Sequence, residues 1–203
     1  MSSYEKFDAL TIEKKKMIIN AAMKEFIRGG YEKASMNRLV ESAGISKGAL
    51  FYYFGNKKNL YLFLFTKCEQ MVLDTATSGI YEEDRDFISR LTRNISGNVA
   101  LLEEYPLAYR FLKSCKKETA KVVADDIHRL KHKAADAAFA KLYHNIDNSL
   151  FKADIDVDMA IYAIKSTMFQ IVHEYLGTEK NESKEVLGRI HKCADFFRMT
   201  LYK

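Results

Sequence analysis

Residues that interrupt helices are scarce in this sequence. The 203 residues include a single proline, Pro106, and only nine glycines. Few segments alternate apolar and polar residues in the way that half-buried strands do. Since 48% of the residues are hydrophobic, the chain has enough apolar side chains to build a core. The sequence therefore predicts an all-α protein.

Long apolar runs are also absent. No stretch of 18 apolar residues occurs, so the sequence contains no candidate transmembrane helix. The N-terminal sequence MSSYEKFDAL lacks the apolar core of a secretory signal. Cys68, Cys115 and Cys193 are far apart and match no metal-binding or redox spacing. We therefore expect a cytoplasmic protein with no membrane partner, whose cysteines are reduced structural thiols.

The motifs that usually mark catalytic or metal sites are missing as well. The sequence contains no paired nucleophile and base, no metal-binding cluster and no glycine-rich phosphate loop. His128 and His132 lie four residues apart, but no third ligand is near them in the sequence. We therefore predict no catalytic residues, no metal and no cofactor. An all-helical enzyme in the C-terminal half remains an alternative hypothesis.

Positive charge is concentrated at the N-terminal end of the chain. Residues 1–60 hold eleven Lys and Arg against six Asp and Glu, whereas residues 61–203 hold twenty-one of each. The formal net charge of +5 therefore falls entirely within the first sixty residues. This asymmetry indicates an anionic partner for that end, with an ordinary solvated lysine surface as the alternative.

The same region shows the pattern of a helix-turn-helix. Apolar residues at three- and four-residue spacing predict a first helix from about residue 8 or 11 to Arg28, and Gly29-Gly30 ends it. A second, short helix begins at Ser35, whose hydroxyl can cap its first turn. Gly44 then turns the chain, and Ser46 caps a third helix. Two short helices joined by a glycine-containing turn are typical of this motif, although many helical hairpins share the spacing.

Four adjacent aromatic residues, FYYF, lie in the predicted third helix. A helix turns about 100° per residue, so Leu50 and Phe54 point to the core while Phe51 falls at the border. Tyr52 and Tyr53 then point outward, beside small residues that allow close approach. Tyrosine hydroxyls can contact phosphates, and small side chains let the backbone reach base edges. The pattern favours DNA binding; packing of both tyrosines on a neighbouring domain is the alternative.

A fourth helix begins near Asn56 and has an unusual, basic first turn. Helix N-termini favour negative charge, so Lys57 and Lys58 are best explained by a phosphate that binds there. Two solvated lysines are the alternative. Beyond this turn the helix is apolar nearly all round, so we expect it to enter a second core. The predicted domains are 1–55 and 56–203, and further helices are predicted near 84–104, 106–117, 119–145, 154–177 and 183–202.

The last two predicted helices are apolar on two sides, which indicates burial on two sides. One side then packs in the core of the chain and the other against a second copy, with a larger monomeric core as the alternative. The predicted dimer-interface residues are Ile155, Tyr162, Phe169, Leu176, Ile190, Phe197 and Leu201.

Aromatic side chains in the C-terminal half are candidates for an apolar cavity with a few polar groups. Plain core packing is the alternative for the whole set. The candidate ligand-binding residues are Phe65, Tyr105, Tyr109, Phe111, Phe139, Tyr143, Phe169 and His173.

The segment from Lys15 to about Phe65 resembles the N-terminal DNA-binding domain of TetR-type transcriptional regulators. It carries an AA…F…GY pattern in the first helix, the run ESAGISKGALFYYF, and a lysine at the head of the fourth helix. The resemblance implies an N-terminal three-helix helix-turn-helix domain and a C-terminal helical domain for ligand binding and dimerisation. It further implies a homodimeric repressor that a small-molecule effector releases from a palindromic, double-stranded operator.

Carried over by position, the resemblance marks DNA-contacting residues in the second, third and fourth helices. Two positions depart from the family pattern, which usually has Tyr at Phe51 and often Glu at Lys58. A structural helical dimer with a non-specific basic end remains an alternative for the whole chain. The predicted DNA-binding residues are Ser35, Met36, Ser46, Lys47, Gly48, Ala49, Phe51, Tyr52, Tyr53, Lys57 and Lys58.

Overall fold

The computed structural model describes residues 3–78, 83–176 and 183–203. These residues form α-helices, one short 3₁₀ helix and an isolated bridge between Phe151 and Tyr202, which confirms the predicted all-α class. Within these ranges no helix has the length and apolar character needed to cross a bilayer. The α-helices are α1 Ser3–Asp8, α2 Ile12–Lys33, α3 Met36–Ser42, α4 Lys47–Phe54, α5 Lys57–Ser78, α6 Phe87–Glu104, α7 Pro106–Cys115, α8 Lys121–Tyr143, α9 Val157–Leu176 and α10 Ser183–Leu201.

Serine caps define the two short helices as the sequence predicts. The Ser35 hydroxyl accepts a hydrogen bond from the Arg38 amide at 3.4 Å, and the Ser46 hydroxyl accepts one from the Ala49 amide at 3.1 Å. Each bond satisfies an amide that has no partner within its own helix. Gly44, with φ 61°, makes the left-handed turn between the two helices. The helix-turn-helix arrangement is thus confirmed at its caps and its turn.

Two features of the N-terminal region differ from the sequence prediction. α2 continues to Lys33, with a kink at Gly30, where φ is 61° and ψ is −173°. That backbone conformation is accessible almost only to glycine, so the predicted helix end appears as a break followed by one more turn. A separate helix, α1, precedes α2 and was not predicted. Its Phe7 is only 2% exposed, so α1 is held by burial of apolar surface.

The chain forms two compact units. The first combines the described residues up to Met71 with residues 105–134, and the second combines residues 72–104 with residues 135–203. α5 therefore contributes to both units. The predicted domain boundary after residue 55 stays a prediction.

The core of the first unit is built from aromatic side chains of α2, α5 and α7. The ring of Tyr61 lies 4.8 Å from that of Phe26 and 5.4 Å from that of Phe111. All three side chains are buried, and Tyr61 donates its hydroxyl to the Cys115 sulfur at 3.2 Å. Burial strongly raises the pKa of Tyr61, so this phenol stays protonated and donates.

The second unit packs α6, α9 and α10 around aliphatic and aromatic side chains, with polar groups closing its end. The carboxylate of Asp86, just before α6, accepts hydrogen bonds from Ser89 at 2.6 Å, Tyr202 at 2.7 Å and Arg198 at 3.1 Å. The guanidinium of Arg90 is buried and donates to the backbone carbonyls of Asp84 and His144. These bonds tie the start of α6 to the end of α10 and to the segment after α8.

Candidate nucleic-acid interface

α4 presents two clearly different faces. Leu50 and Phe54 are 2% and 1% exposed, so they form its buried side as predicted. Tyr52 is 59% exposed and Phe51 lies at the border with 37%. In the first turn, Ser46, Lys47 and Gly48 are exposed and Ala49 is partly exposed. The outer face of α4 therefore combines small residues, a lysine and an open phenol ring.

The two tyrosines of α4 are not equivalent, although the sequence places both on the outer face. Tyr53 is half-buried, because its ring meets the edge of Phe7 from α1 at 6.2 Å between centroids. Tyr52 stays open, and its ring stands 5.8 Å from that of Tyr53. The open reading surface is therefore narrower than the sequence predicts, because α1 covers part of it.

A buried carboxylate on α2 positions the start of α3. Glu25 is only 6% exposed and accepts the Ser35 amide at 2.6 Å. It also accepts Arg28 and Arg38, each at 2.7 Å. Ser35 and the neighbouring Met36 remain partly exposed. Glu25 thereby fixes the first turn of α3. The predicted contacts of α3 with the DNA backbone lie at this turn.

Lys57, at the head of α5, is bound within the protein. Its ammonium donates to the carbonyl oxygens of Glu32 at 3.0 Å and Ala34 at 2.8 Å, and it lies 5.0 Å from the centroid of the Tyr31 ring. Burial lowers the pKa of this ammonium, and nearby glutamates counteract the shift. Lys57 thus binds the free carbonyls at the C-terminal end of α2. A phosphate at the head of α5 would have to compete with these two carbonyls for the ammonium.

Lys58 is also paired. Its ammonium lies 2.8 Å from Asp126 of α8, which also binds Arg129 at 2.5 Å. The hydrogen bond from Lys58 holds the pKa of Asp126 below its usual value. The sequence pattern predicts a phosphate contact for Lys58 and no protein partner, because no sequence signal shows which carboxylate of a distant helix will reach it.

A second hydrogen-bonded contact that the sequence does not predict joins the kink of α2 to the loop between α7 and α8. Glu118, in the loop between α7 and α8, accepts the Tyr31 amide at 2.7 Å and the Thr119 and Ala120 amides at 3.0 and 2.9 Å. The Tyr31 amide follows Gly30, where the kink removes its helical partner. No sequence signal shows that Glu118 will reach an amide 87 residues away.

The candidate ligand-binding residues are divided between the two units. In the first unit, Phe65 and Phe111 are buried, Tyr105 is 43% exposed, and burial raises the pKa of Tyr109 to about 12. In the second unit, the Tyr143 ring stacks on Phe87 at 5.5 Å, while Phe169 and His173 are exposed. The side chain of Phe139 lies outside the described residues.

The predicted dimer-interface residues also separate. Tyr162 and Phe169 on α9 are exposed, whereas Ile155 and Leu201 are partly buried. Ile190 and Phe197 need correction, because both are buried in the core of their own unit. The exposed apolar residues of α10 are instead Phe196 and Met199. The side chain of Leu176 lies outside the described residues.

The described part of the chain has no group of three or more His, Cys, Asp or Glu that could hold a metal ion. The polar groups exposed on α3 and α4 include serine hydroxyls, lysine and arginine cations and a tyrosine hydroxyl, together with the Asn37 amide and the Glu41 carboxylate of α3. The hydroxyls, the cations and the amide suit the phosphates and base edges of nucleic acid.

Comparison with known proteins identifies relatives of the segment that contains α3 and α4. The family described as bacterial regulatory proteins, tetR family, matches residues 18–63, which span most of α2 to the start of α5. The chain is 26% identical over 148 residues to the HTH-type transcriptional repressor AcnR of Corynebacterium glutamicum, which covers 70% of this chain and 71% of that protein. It is 30% identical over 97 residues to the HTH-type transcriptional regulator RutR of Escherichia coli K12, covering 48% of this chain and 45% of that protein.

The whole fold is shared as well. A TetR family transcriptional regulator from Chloroflexus aurantiacus superposes with a TM-score of 0.67 at 20% identity, and the match covers 98% of each chain. This likeness concerns the fold, whereas the sequence match concerns the helix-turn-helix. Together with the geometry of α3 and α4, these findings show that residues 18–63 form a helix-turn-helix segment of the tetR family type, in a chain that has the fold of TetR family transcriptional regulators.

Proposed function

We propose that this regulator is a homodimeric repressor that binds a palindromic, double-stranded operator and is released by a small-molecule effector. It acts in the cytoplasm and has no catalytic activity of its own. The observation that carries the proposal is the open face of α4, where Ser46, Lys47 and Gly48 lead to the exposed Tyr52. This face lies at the end of the chain that holds the whole excess of positive charge.

Each element of this face has a role in the proposed complex. α4 enters the major groove, where Lys47 and the Gly48 and Ala49 surface meet base edges. Tyr52 donates its hydroxyl to a phosphate or a base. Ser35 and Met36 meet the backbone at the start of α3. Phe51 and Tyr53 border this surface.

The two lysines at the head of α5 bind a phosphate through exchange of partners. Lys57 gives up a carbonyl and Lys58 gives up Asp126, because each is held by the protein. Their share of the binding free energy is therefore smaller than that of an open lysine such as Lys47, which is exposed.

Dimerisation places two copies of α4 on one face of the operator. Two-fold symmetric half-sites lie about 34–36 Å apart, one helical turn of DNA. The exposed apolar side chains of α9 and α10 suit a self-complementary interface, because such an interface buries the same patch of both subunits. The proposed interface consists of Tyr162 and Phe169 on α9 with Phe196 and Met199 on α10.

The effector acts by favouring one spacing of the two reading helices over another. Moving the population from about 1:99 to 99:1 requires about 5.5 kcal/mol of differential affinity. The aromatic candidates Phe65, Tyr105, Tyr109 and Phe111 of the first unit and Tyr143, Phe169 and His173 of the second remain the proposed ligand contacts. Phe139 is proposed as a ligand contact as well.

The test is operator selection from random DNA, followed by titration of the selected fragment by fluorescence anisotropy. We expect wild-type protein to prefer the selected fragment over scrambled DNA by at least about 10³-fold. Tyr52→Ala should weaken binding by about 1–3 kcal/mol, and Lys47→Ala should reduce the salt slope by about one. Lys184→Ala, an exposed lysine of the second unit, is the matched control.

Two outcomes would contradict the proposal. Equal binding of all DNA sequences by wild-type protein would favour the non-specific basic dimer instead. Unchanged operator affinity in both folded variants, Tyr52→Ala and Lys47→Ala, would remove the assignment of the reading face to α4.

A further inference from the structure

α1 packs against the buried side of α4, the proposed DNA-reading helix, through an aromatic cluster. The Phe7 ring lies 5.0 Å from that of Phe54 and 5.4 Å from that of Phe63. The Tyr4 ring lies 4.8 Å from Phe63 and 6.3 Å from Phe54. Because Phe54 is the buried end of α4 and Phe63 belongs to α5, α1 is fixed to both helices.

The same helix carries a cation to the outer face of α4. The Lys6 ammonium lies 3.9 Å from the centroid of the Tyr52 ring, the most exposed aromatic ring of the reading helix. No carboxylate of the described residues lies within ion-pair distance of this ammonium. Lys6 therefore differs from Lys57 and Lys58, whose ammonium groups are held by carbonyls and by Asp126.

An ammonium above an aromatic face keeps N–H donors that point away from the ring. Lysine binds phosphate as a point charge, so it needs no fixed fork geometry to do so. A phosphate beside the nucleotides that Tyr52 meets is then within reach of a cation already placed there. α1 lies outside residues 18–63, so the family match assigns this cation no role.

We propose that α1 is part of the DNA interface and that Lys6 donates to a backbone phosphate next to the nucleotides contacted by Tyr52. This inference rests on the proposed operator binding. Phe7 and Tyr4 are positioning residues, because they hold α1 against α4 and touch no DNA. The contact is sequence-independent, so it adds affinity without changing which operator is preferred.

The salt dependence of binding tests a phosphate contact directly. Each neutralised phosphate contributes about 0.9 to the slope of log K against log salt. We expect Lys6→Met to lower this slope by about one, to weaken operator and scrambled DNA alike, and to leave their ratio unchanged. Lys6→Arg, which keeps the cation, should restore the slope.

The control is Lys184→Met, which lowers the formal net charge of +5 by the same one unit and changes an exposed lysine of the second unit. All variants are compared with wild-type protein on the selected operator at four or more salt concentrations. Circular dichroism melts establish that each variant is folded.

Different outcomes would refute the Lys6 phosphate contact and the proposed operator binding. If wild-type protein shows no operator preference, the proposed function fails. If wild-type protein prefers its operator but Lys6→Met has the slope of Lys184→Met, only the phosphate contact is refuted. Weaker binding of Lys6→Met at an unchanged slope also refutes it, because Lys6 would then act only by orienting Tyr52.

Discussion

Replacement of Glu25 by alanine should destabilise the first unit strongly. The carboxylate accepts the Ser35 amide at 2.6 Å and pairs with Arg28 and Arg38, both at 2.7 Å. A buried hydrogen bond to a charged group contributes about 1.5–3 kcal/mol. Both arginines are more than half exposed, so each ion pair adds only about 0.5 kcal/mol. From these contributions we expect Glu25→Ala to cost about 3 kcal/mol.

Urea unfolding followed by circular dichroism measures this loss, provided that the slope m stays constant between variants. For a chain of this size, about 3 kcal/mol corresponds to a melting temperature about 6–12 °C lower. Glu41→Ala is the matched control, because Glu41 is an exposed glutamate of α3, and its loss should stay within about 0.5 kcal/mol.

A second consequence is functional. Because Glu25 fixes the Ser35 amide, the variant should also bind the operator more weakly at temperatures where it is still folded. A loss of less than about 1 kcal/mol at constant m would refute the reasoning, since the lost bond to the Ser35 amide alone is worth more than that.

Three further predictions follow from burial, titration and exposed apolar surface. Cys68 and Cys115 should resist thiol reagents at pH 8 until the protein unfolds, because burial raises the pKa of both to about 12. Asp86→Asn should cost about 1–2 kcal/mol at neutral pH. Burial opposes ionisation of Asp86, but its hydrogen bonds outweigh this and lower its pKa, so the advantage of wild-type protein should be lost as the pH falls below 3.8. Replacing Phe196 or Met199 by lysine should raise the dimer dissociation constant at least about tenfold in sedimentation experiments, because each change occurs twice in the interface.

Each of these predictions has a control in the same chain. Cys193 is only partly buried, so it should react with the thiol reagent before the other two cysteines. An Asp86→Asn variant whose deficit is constant from pH 7 to pH 3 would show that the carboxylate charge does not matter. Val122→Lys changes an exposed apolar residue of the first unit and should leave dimerisation intact. Equal weakening by all three lysine substitutions would argue against the α9–α10 interface.

The parts of the fold that depend on local chemistry could be predicted from the sequence. The serine caps of α3 and α4 follow from hydroxyls that satisfy amides three residues away. The burial of Leu50 and Phe54 follows from helical periodicity alone. These signals lie within one or two helical turns, so one sequence suffices to read them.

Features that depend on distant partners could not be predicted. α1 is six residues long and too short to be stable alone, so it exists because Phe7 finds a site on α4 and α5. The carbonyl partners of Lys57 lie more than twenty residues away in sequence. On α10, periodicity identifies two apolar sides but does not show which of them faces the core, so the dimer contacts predicted for Ile190 and Phe197 are wrong.

The hydrogen bond that the Tyr31 amide donates to Glu118 affects whether the helix-turn-helix segment can be separated from the rest of the first unit. The amide that the break at Gly30 leaves without a helical partner donates to a carboxylate that follows α7. Phe111 of α7 also lies against Tyr61 and Phe26. A fragment cut after the family-matched segment would lose both the bond and the cover over its aromatic rings. A fusion that transfers this helix-turn-helix segment to another protein must therefore also include α7 and the start of α8.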